Sequence, residues 1–444
     1  MTNELRVLWY VDVPPGPLAM RTGQAVSAGP MSWAESLIGA LAGRPGLRLG
    51  IVSTAPVPCR PFEEDGITYY AVPGPRPAVR SALSWSRWSH PSVHVLRPDL
   101  APAMAALRSF GPDVVHVHGT EGPFGMLAGM SSVPCVISLQ GLLVVCTRFW
   151  LQGIPPREYR RLVFSTTFWQ GGGLLHSHID IRRRAERERV ILESGSDFIG
   201  RTQWDRRVLL GANPEARYWH CDEVLREPFY STEWSDHPET PFVIYSTGSA
   251  MPIKGTECLI ETIGILSRAG MAGVRLRVAG VPSGSELEAI YRRFADRHHV
   301  GDRVKLLGRL DATQLVDELL GCHVYVHPSR IDNSPNSLAE AMLLGVPCVA
   351  SFAGGIPSMI SDGVSGILVP AGDSYAIAGA VRDIRNDREA AVALGRAARA
   401  TAFARHDPRL IAERMMAIYD GVAQGQPVRL DEADSTSLGG GQRD

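Results

Sequence analysis

The chain has 444 residues, of which 45% are hydrophobic and 20% charged, and its formal net charge is -1. This length exceeds what one hydrophobic core usually organises, so two domains of roughly 200 residues each are expected. The balanced charge provides no global positive field and argues against a nucleic-acid-binding protein. The 7 cysteines are scattered without a C-x-x-C pair, which argues against a disulfide framework or a zinc ribbon and favours a reducing cytoplasm.

The first residues lead directly into an apolar run at residues 5–11, without the basic region and cleavage site of a signal peptide. No run reaches the roughly 18 apolar residues of a membrane-spanning helix. We therefore expect a cytoplasmic protein that contacts the inner membrane surface at most.

The first half alternates short aliphatic runs with helical stretches, the pattern of a parallel sheet with helices on both faces. The predicted strands are residues 5–11, 49–53, 67–72, 113–118, 133–139 and 198–201. The predicted helices are residues 32–42 and 101–110. An arginine-rich stretch at residues 182–189 predicts a further helix. Its charges indicate either a solvated face with Arg–Glu pairs or a contact with an anionic membrane or a phosphate-bearing acceptor.

A shift in composition at residues 226–241 predicts a linker, after which the alternation begins again. The strands predicted beyond it are residues 242–246, 274–279, 304–307, 324–327 and 347–350. The helices predicted there are residues 255–268, 286–296, 313–320, 336–344 and 408–422. Residues 424–444 have little to bury and are expected to be disordered.

The segment at residues 327–357 has the pattern strand, loop, helix, glycine break, strand. The first N–H groups of its helix are expected to be free and, with the helix dipole, to bind a phosphate. These are the N–H groups of Asn336, Ser337 and Leu338. Asp332 and Glu340 place two carboxylates beside this anion site, and a sugar nucleotide offers hydroxyl groups on both sides of its diphosphate. The alternative is that Asp332 caps the loop and Glu340 is a surface residue.

This segment resembles the signature of the retaining GT-B glycosyltransferases of family 4, Pro-Ser-x-x-Glu-Gly-x-Pro-Asn-x-x-x-Glu-Ala-Met followed by Gly-Gly-x-Pro. The resemblance implies that Glu340 holds the ribose hydroxyls of the donor. Asp332 stands where the family has its first glutamate, which implies contact with the donor hexose through a side chain one carbon shorter. Gly354 and Gly355 match the glycine turn and are expected to let the backbone approach the donor.

A second match lies just before the first helix predicted beyond the linker. The resemblance implies that Lys254 faces the donor diphosphate and stabilises the leaving nucleotide. Ser249 stands where relatives often have a phosphate-binding arginine, so that cation is missing or is supplied elsewhere, for example by Arg201. The turn where relatives hold the nucleobase by backbone contacts is matched by Gly308, Arg309 and Leu310.

In the first half, the period of two along a predicted strand places His116 and His118 on one side of it, at the carboxyl edge where ligands gather. The resemblance implies that His118 reaches the donor hexose, while a core role is favoured for His116 over a metal site. Gly29 corresponds to the glycine-rich loop of the family near the diphosphate. Gln140 stands where many relatives have histidine and is expected to face the cleft.

The resemblance therefore implies an α/β protein of GT-B architecture, in which two Rossmann-like domains with parallel sheets face a central cleft. Residues 1–227 are expected to bind the acceptor and residues 228–407 the nucleotide sugar. Residues 408–423 are expected to form a helix that crosses back to the first domain. The implied reaction is transfer of a hexose from a UDP- or GDP-sugar to an acceptor hydroxyl, with retention of configuration and without a metal.

The catalytic residues implied by the resemblance are His118, Lys254 and Asp332, and no resident cofactor or metal site is expected. The acceptor stays open between a lipid-linked sugar, a polysaccharide and a small natural product. Two alternatives also stay open. One is a nucleotide-sugar 2-epimerase on the same fold, and the other is a non-catalytic binding subunit, suggested by the departures from the family pattern at Ser249 and Asp332.

Overall fold

The structure is a computed structural model that describes residues 4–24, 32–74, 98–237, 241–271 and 273–426. It contains two β-sheets, one in each half of the chain. The predicted donor contact Gly29 and residues 427–444 of the tail lie outside the described residues. Within the described residues, no helix has both the length and the apolar character needed to cross a membrane.

The first half forms an 8-stranded sheet with the order β3-β4-β2-β1-β5-β6-β7-β8. Its strands are β1 Leu5–Val11, β2 Leu47–Ala55, β3 Phe62–Glu64, β4 Ile67–Pro73, β5 Val114–His118, β6 Cys135–Ser138, β7 Asp197–Gly200 and β8 Arg217–His220. Only the β3–β4 pair is antiparallel, and all other pairs are parallel.

Helices bury both faces of this sheet, because successive side chains of a strand point to opposite sides. On β1, Leu8 and Tyr10 belong to one apolar core, and Val7 and Trp9 belong to another. The helices of this half are Gly16–Arg21, Ser32–Leu41, Ala101–Phe110, Leu143–Cys146, Pro156–Val163, Thr166–Trp169, Gly173–Ser194 and Gln203–Ala212.

The second half forms a 6-stranded, fully parallel sheet with the order β11-β10-β9-β12-β13-β14. Its strands are β9 Val243–Thr247, β10 Arg275–Ala279, β11 Val304–Gly308, β12 Val324–His327, β13 Cys348–Ser351 and β14 Ile367–Val369. The helices are Thr256–Arg268, Glu286–Arg297, Ala312–Leu320, Asn336–Leu344, Ser374–Asn386, Arg388–Arg405 and Pro408–Ala423.

The strands and helices predicted from sequence are present, with ends that shift by a few residues. The prediction missed β3, β8 and β14, which have 3 or 4 residues each and are too short to show a period. It also missed several helices, among them Ser374–Asn386 and Arg388–Arg405. The second of these buries mostly alanine and glycine, so its packed face lacks the large apolar side chains that mark an amphipathic helix.

Only one side of the arginine-rich stretch is solvated. The stretch lies in the helix Gly173–Ser194, where Glu188 is 0% exposed and accepts a hydrogen bond of 2.5 Å from Thr120 Oγ1. Arg187 Nη2 donates to the carbonyl oxygen of Glu121 at 2.5 Å. Burial raises the pKa of the Glu188 carboxyl group to about 8. The expectation of a solvated helix face is therefore wrong for this side, which packs on the loop after β5.

A second connection between the domains lies away from the linker. Glu158, in the helix Pro156–Val163, pairs with Arg293 of the second domain at 2.6 Å. Glu286 of the second domain accepts hydrogen bonds from Ser165 Oγ at 2.8 Å and from Leu174 N at 2.9 Å. Residues between β6 and β7 thus hold the two domains together across one end of the cleft.

The last helix, Pro408–Ala423, packs on the first sheet through a buried chain of hydrogen bonds. Trp9 Nε1 donates to the hydroxyl of Tyr419 at 2.9 Å, and this hydroxyl lies 2.8 Å from His116 Nδ1. Burial lowers the pKa of His116 to about 3, so its ring is neutral. Because indole only donates, the Tyr419 proton goes to Nδ1, and His116 Nε2 then donates to Ser138 Oγ at 2.7 Å. His116 is therefore a core residue.

We predict that Tyr419→Phe lowers the free energy of unfolding by about 1–3 kcal/mol, because it leaves the buried Trp9 N–H without its acceptor. Urea denaturation of wild type and variant measures the difference. Tyr375→Phe is the matched control, since Tyr375 is 71% exposed. Equal stability of the two variants would show that this hydrogen-bond chain does not stabilise the helix.

Candidate functional site

The carboxyl edges of the two sheets face each other and are in contact. Gln140 follows β6, Thr202 follows β7, and Asn333 follows β12. Thr202 Oγ1 donates to Asn333 Oδ1 at 2.8 Å, and Asn333 Nδ2 donates to the carbonyl oxygen of Gln140 at 3.1 Å. Open α/β sheets bind ligands at this edge, so the contact between the two edges marks the candidate site.

Asp332 is at the centre of a buried polar cluster in the second domain. Its Oδ2 lies 2.5 Å from Lys254 Nζ and also accepts from His327 Nε2 at 3.1 Å and from Ser329 Oγ at 3.2 Å. Its Oδ1 accepts from the backbone N–H of Asn333 at 3.1 Å. The structure therefore brings two predicted site residues, Asp332 and Lys254, into direct contact.

The charges in this cluster determine its protonation. Burial by itself would raise the pKa of Asp332, but Lys254 and His327 outweigh it and hold this pKa well below the usual range. Burial lowers the pKa of His327, so the imidazole is neutral near pH 7. A neutral His327 donates from Nε2 to Asp332, while its Nδ1 faces the hydroxyl of Tyr325 at 3.3 Å. The site thus presents an ionised Asp332 beside a cationic Lys254.

Glycines allow the loops of the cluster to approach each other. Gly255 has φ +72°, and a Cβ there would collide with the Pro328 carbonyl oxygen. Gly354 has φ +56°, and a Cβ there would collide with the Asp332 carbonyl oxygen. Gly355 N donates to that same carbonyl at 2.9 Å. The backbone at Gly354 and Gly355 therefore lies close to the loop that carries Asp332.

The helix Asn336–Leu344 begins directly after this loop. Leu338 N donates to the Pro335 carbonyl oxygen at 3.0 Å, so the expectation that its N–H is free is wrong. The first turn has tightened there, which leaves the N–H groups of Asn336 and Ser337 at the helix start.

Glu340 lies one turn further along this helix and is 5% exposed, so it is not a surface residue. Arg226 Nε donates to its Oε1 at 2.7 Å, and Arg226 Nη2 donates to its Oε2 at 2.6 Å. Burial raises the pKa of Glu340, and the contacts with Arg226 act in the opposite direction.

The other predicted donor contacts in the second domain lie in its loops. Ser249 Oγ accepts from Met251 N at 2.9 Å and so shapes the turn before Lys254. Gly308 ends β11 with φ +72°, and its carbonyl oxygen accepts from Gly280 N at 2.6 Å. The two residues that follow differ in burial, since Arg309 is exposed and Leu310 packs partly on the core.

His118 ends β5 at the first-domain edge of the cleft. It is 6% exposed, and its ring centroid lies 4.3 Å from that of Trp9 and 3.7 Å from that of His116. Burial lowers the pKa of His118 well below its usual value, with a smaller contribution from His116. The imidazole is therefore neutral and suited to hydrogen bonding with an uncharged group such as a hydroxyl.

Arg201 does not supply the missing phosphate cation. It is 6% exposed, and its Nη1 pairs with Glu223 Oε2 at 2.8 Å. Its Nη2 lies 3.2 Å from the carbonyl oxygens of Leu139 and Gln140. The interpretation of Arg201 as a substitute for the arginine absent at Ser249 is wrong, because the guanidinium is committed to the interface between sheet and linker.

Sequence reasoning missed four polar residues of the site, namely Glu223, Arg226, His327 and Asn333. His327 ends a predicted strand next to the motif, and this position was the signal that pointed to it. Asn333 stands where the family has glycine and extends across to the first domain. Glu223 and Arg226 belong to the linker region, whose sequence has no period and therefore gives no indication of the side to which each residue points.

Two parallel α/β domains that meet at their carboxyl edges define the GT-B fold. The structure of sucrose-phosphate synthase from Thermosynechococcus elongatus superposes with a TM-score of 0.70, covering 95% of this chain and 100% of that one at 16% identity. The structure of Anabaena HepE in complex with UDP and glucose superposes with a TM-score of 0.61, covering 94% and 99% at 16% identity. At these identities, the likeness establishes the fold alone.

Sequence comparison gives more specific information about the second domain than the fold does. Residues 232–401, which make up most of the second domain, match the model of the family Glycosyl transferases group 1. A D-inositol 3-phosphate glycosyltransferase of Mycolicibacterium smegmatis is 30% identical over 168 residues. That match covers 37% of this chain and spans 38% of the length of the relative.

We predict that Gly354→Ala damages both folding and the site, because a Cβ at this position collides with the backbone of Asp332. Gly363→Ala is the matched control, since Gly363 also has a positive φ, of +71°, but a Cβ there meets nothing within 4 Å. The control should lose about 1–2 kcal/mol from backbone strain alone, and Gly354→Ala should lose clearly more. Urea denaturation measures both, and equal losses would contradict the close packing of this turn.

Proposed function

We propose that the protein is a metal-independent, retaining glycosyltransferase that moves a hexose from a UDP- or GDP-sugar to an acceptor hydroxyl. One observation carries the proposal. Lys254, Asp332 and the start of the helix Asn336–Leu344 form one buried polar site inside the residues matched by the group 1 family model. The HepE structure with the same fold holds UDP and glucose, the two halves of such a donor.

The diphosphate of the donor is assigned to Lys254 and the N-terminal end of the helix Asn336–Leu344. The ammonium group of Lys254 has three N–H donors, so it can keep its contact with Asp332 and also donate to phosphate oxygens. The first N–H groups and the dipole of the helix add to this positive potential. Together they would stabilise the charge that develops on the leaving diphosphate, without a divalent cation.

The hexose is assigned to the space between Asp332 and His118. Asp332 is ionised near neutral pH, because its pKa is held low. Within the described residues, its Oδ1 accepts from the Asn333 N–H, and this oxygen can also accept from a sugar hydroxyl. His118 is neutral and ends β5 on the opposite edge of the cleft. A carboxylate and a neutral imidazole are suitable partners for the uncharged hydroxyl groups of a sugar.

In the proposed reaction, the bond between the anomeric carbon and the β-phosphate oxygen breaks, and the acceptor oxygen bonds to that carbon from the same face. The proton of the acceptor hydroxyl passes to the departing phosphate oxygen, so charge and atoms balance without an enzyme nucleophile. Lys254 stabilises the oxygen that takes the proton. The acceptor is assigned to the first-domain side of the cleft.

The acceptor class is proposed as a lipid-linked sugar, a polysaccharide or a small natural product, and the first of these requires contact with a membrane. The surface best suited to such contact is in the helix Pro156–Val163 and the turn after it. Arg157 and Arg160 are exposed there, Phe164 is 79% exposed, and Trp169, at the end of the next helix Thr166–Trp169, is 57% exposed. Arginine with exposed aromatic rings is typical of membrane interfaces.

Flotation with anionic vesicles tests this contact, and a protein that stays with the soluble fraction excludes it.

The proposed activity is tested by a thermal-shift screen of UDP, GDP, ADP and their sugars, followed by product analysis. A donor that binds the folded state raises the melting temperature by mass action. Turnover should need an acceptor, survive EDTA and give a product with the anomeric configuration of the donor. An altered free sugar without acceptor would identify the 2-epimerase, and donor binding without turnover would identify the binding subunit. Activity lost in EDTA and restored by Mg²⁺ would contradict the metal-free reaction.

Separate roles for the two carboxylates predict different effects of their amides. Asp332→Asn should leave the affinity for free UDP or GDP nearly unchanged but lower turnover, because Asp332 is assigned to the hexose. Glu340→Gln should weaken free-nucleotide binding by about 10-fold or more, because charge-assisted hydrogen bonds to the ribose are lost. Calorimetry gives the affinity and initial rates give the turnover.

Asp317→Asn, at an exposed position of the same domain, is the control for the change from acid to amide. If Asp332→Asn abolishes nucleotide binding and Glu340→Gln leaves it intact, the proposed orientation of the donor is reversed.

A further inference from the structure

The segment between β8 and β9 forms hydrogen bonds with the helix Asn336–Leu344 at two positions on one face. Glu223 Oε2 accepts from Asn336 Nδ2 at 2.9 Å, and Arg226 forms two hydrogen bonds with Glu340. Residues four apart on a helix lie one above the other, so Asn336 and Glu340 share this face. It is the same face to which the donor nucleotide is assigned.

Arg226 is held in a single geometry. Its backbone precedes the short turn Glu227–Phe229, and its guanidinium carbon lies 4.8 Å from the ring centroid of Phe229. Phe229 is 0% exposed and belongs to the core of the second domain. The side chains of Arg226 and Glu340 are only 15% and 7% exposed. A stacked guanidinium that also makes two parallel hydrogen bonds has little freedom to move.

The charge of Arg226 favours the ionised form of the Glu340 carboxyl group. Burial raises the pKa of Glu340, and Arg226 is the group that opposes this rise, through its hydrogen bonds and its charge. An ionised carboxylate has about four lone-pair positions. Arg226 occupies one on each oxygen, so each oxygen retains one position at which it can accept a hydrogen bond from a ribose hydroxyl.

We propose that Arg226 is a positioning residue for the donor nucleotide: it keeps the buried Glu340 ionised and fixes its orientation, so that a carboxylate oxygen accepts a ribose hydroxyl. The inference rests on the proposed function and deepens it, since it adds a residue of the linker to the nucleotide site. Arg226 acts through Glu340 and is not assigned a contact with the ligand. Lysine would replace it only in part, because a single ammonium cannot form the paired, planar contact.

The test is the affinity for UDP and GDP, measured by calorimetry at pH 6, 7 and 8 and expressed as the ratio of variant to wild type. This ratio removes the titration of the nucleotide phosphate itself. Arg226→Met should bind about 10-fold more weakly at pH 7, the effect of losing a charge-assisted contact. Without Arg226 the pKa of Glu340 is raised further, so Glu340 takes up a proton as the pH falls. The loss should therefore grow at pH 6 and shrink at pH 8, with Arg226→Lys intermediate.

Two further variants separate this role from a general loss of structure. Arg277→Met removes an arginine that pairs at 2.5 Å with Glu318, away from the site in the same domain, and should leave affinity unchanged at every pH. Adding Arg226→Met to Glu340→Gln should cause no further loss, because Arg226 acts through the charge of Glu340.

An additional loss in the Glu340→Gln background, or a ratio that does not change with pH, would overturn the role of Arg226. These outcomes leave the proposed glycosyltransferase intact as long as the wild type binds the nucleotide. A wild-type protein that binds neither UDP nor GDP overturns the proposed function, and the role of Arg226 with it.

Discussion

The partly buried ion pair between Lys254 and Asp332 is the interaction on which the rest of the candidate site depends. Two charges taken out of water are costly unless their geometry is good and further hydrogen bonds satisfy the remaining lone pairs. Here His327, Ser329 and Lys254 all donate to one carboxylate oxygen of Asp332, and the backbone N–H of Asn333 donates to the other. The cluster forms only because the loops approach each other at positions where a side chain would collide, so the glycines are a condition for the charges.

The same physics applies at the linker. Arg201 pairs with Glu223, and Arg226 pairs with Glu340, both nearly out of contact with water. Removing one partner of such a pair would leave an uncompensated charge, which makes these contacts specific for one arrangement of the residues that carry them. Paired charged groups therefore join the segment between β8 and β9 to the edge of the first domain and to the helix Asn336–Leu344. A site assembled in this way couples the orientation of its ligand contacts to the packing of the two domains.

In the first domain, packed neutral side chains support the cleft more than charged groups do. Trp9, His116 and Tyr419 form a buried hydrogen-bond chain that connects the last helix to the sheet, and the ring of His118 packs against Trp9 in a tilted arrangement at the end of the same sheet. The neutral imidazole of His118 thus has a rigid support that comes partly from the far end of the chain. This arrangement gives the last helix a structural connection to the cleft, although the helix lies more than 280 residues after β5 in the sequence.

The alternation of strands and helices could be predicted from the sequence, because hydrophobic periods are local, and the resemblance to a family motif marked Lys254, Asp332 and Glu340 as site residues. The sequence also placed His118 at the end of β5. The sequence did not reveal three ion pairs, which join Lys254 to Asp332, Arg201 to Glu223 and Arg226 to Glu340. These contacts join residues 22 to 114 positions apart, and only tertiary packing brings such groups together. Short strands such as β3 and the alanine-rich helix Arg388–Arg405 also depended on tertiary structure, since their stability comes from the neighbours they pack against and not from a period of their own.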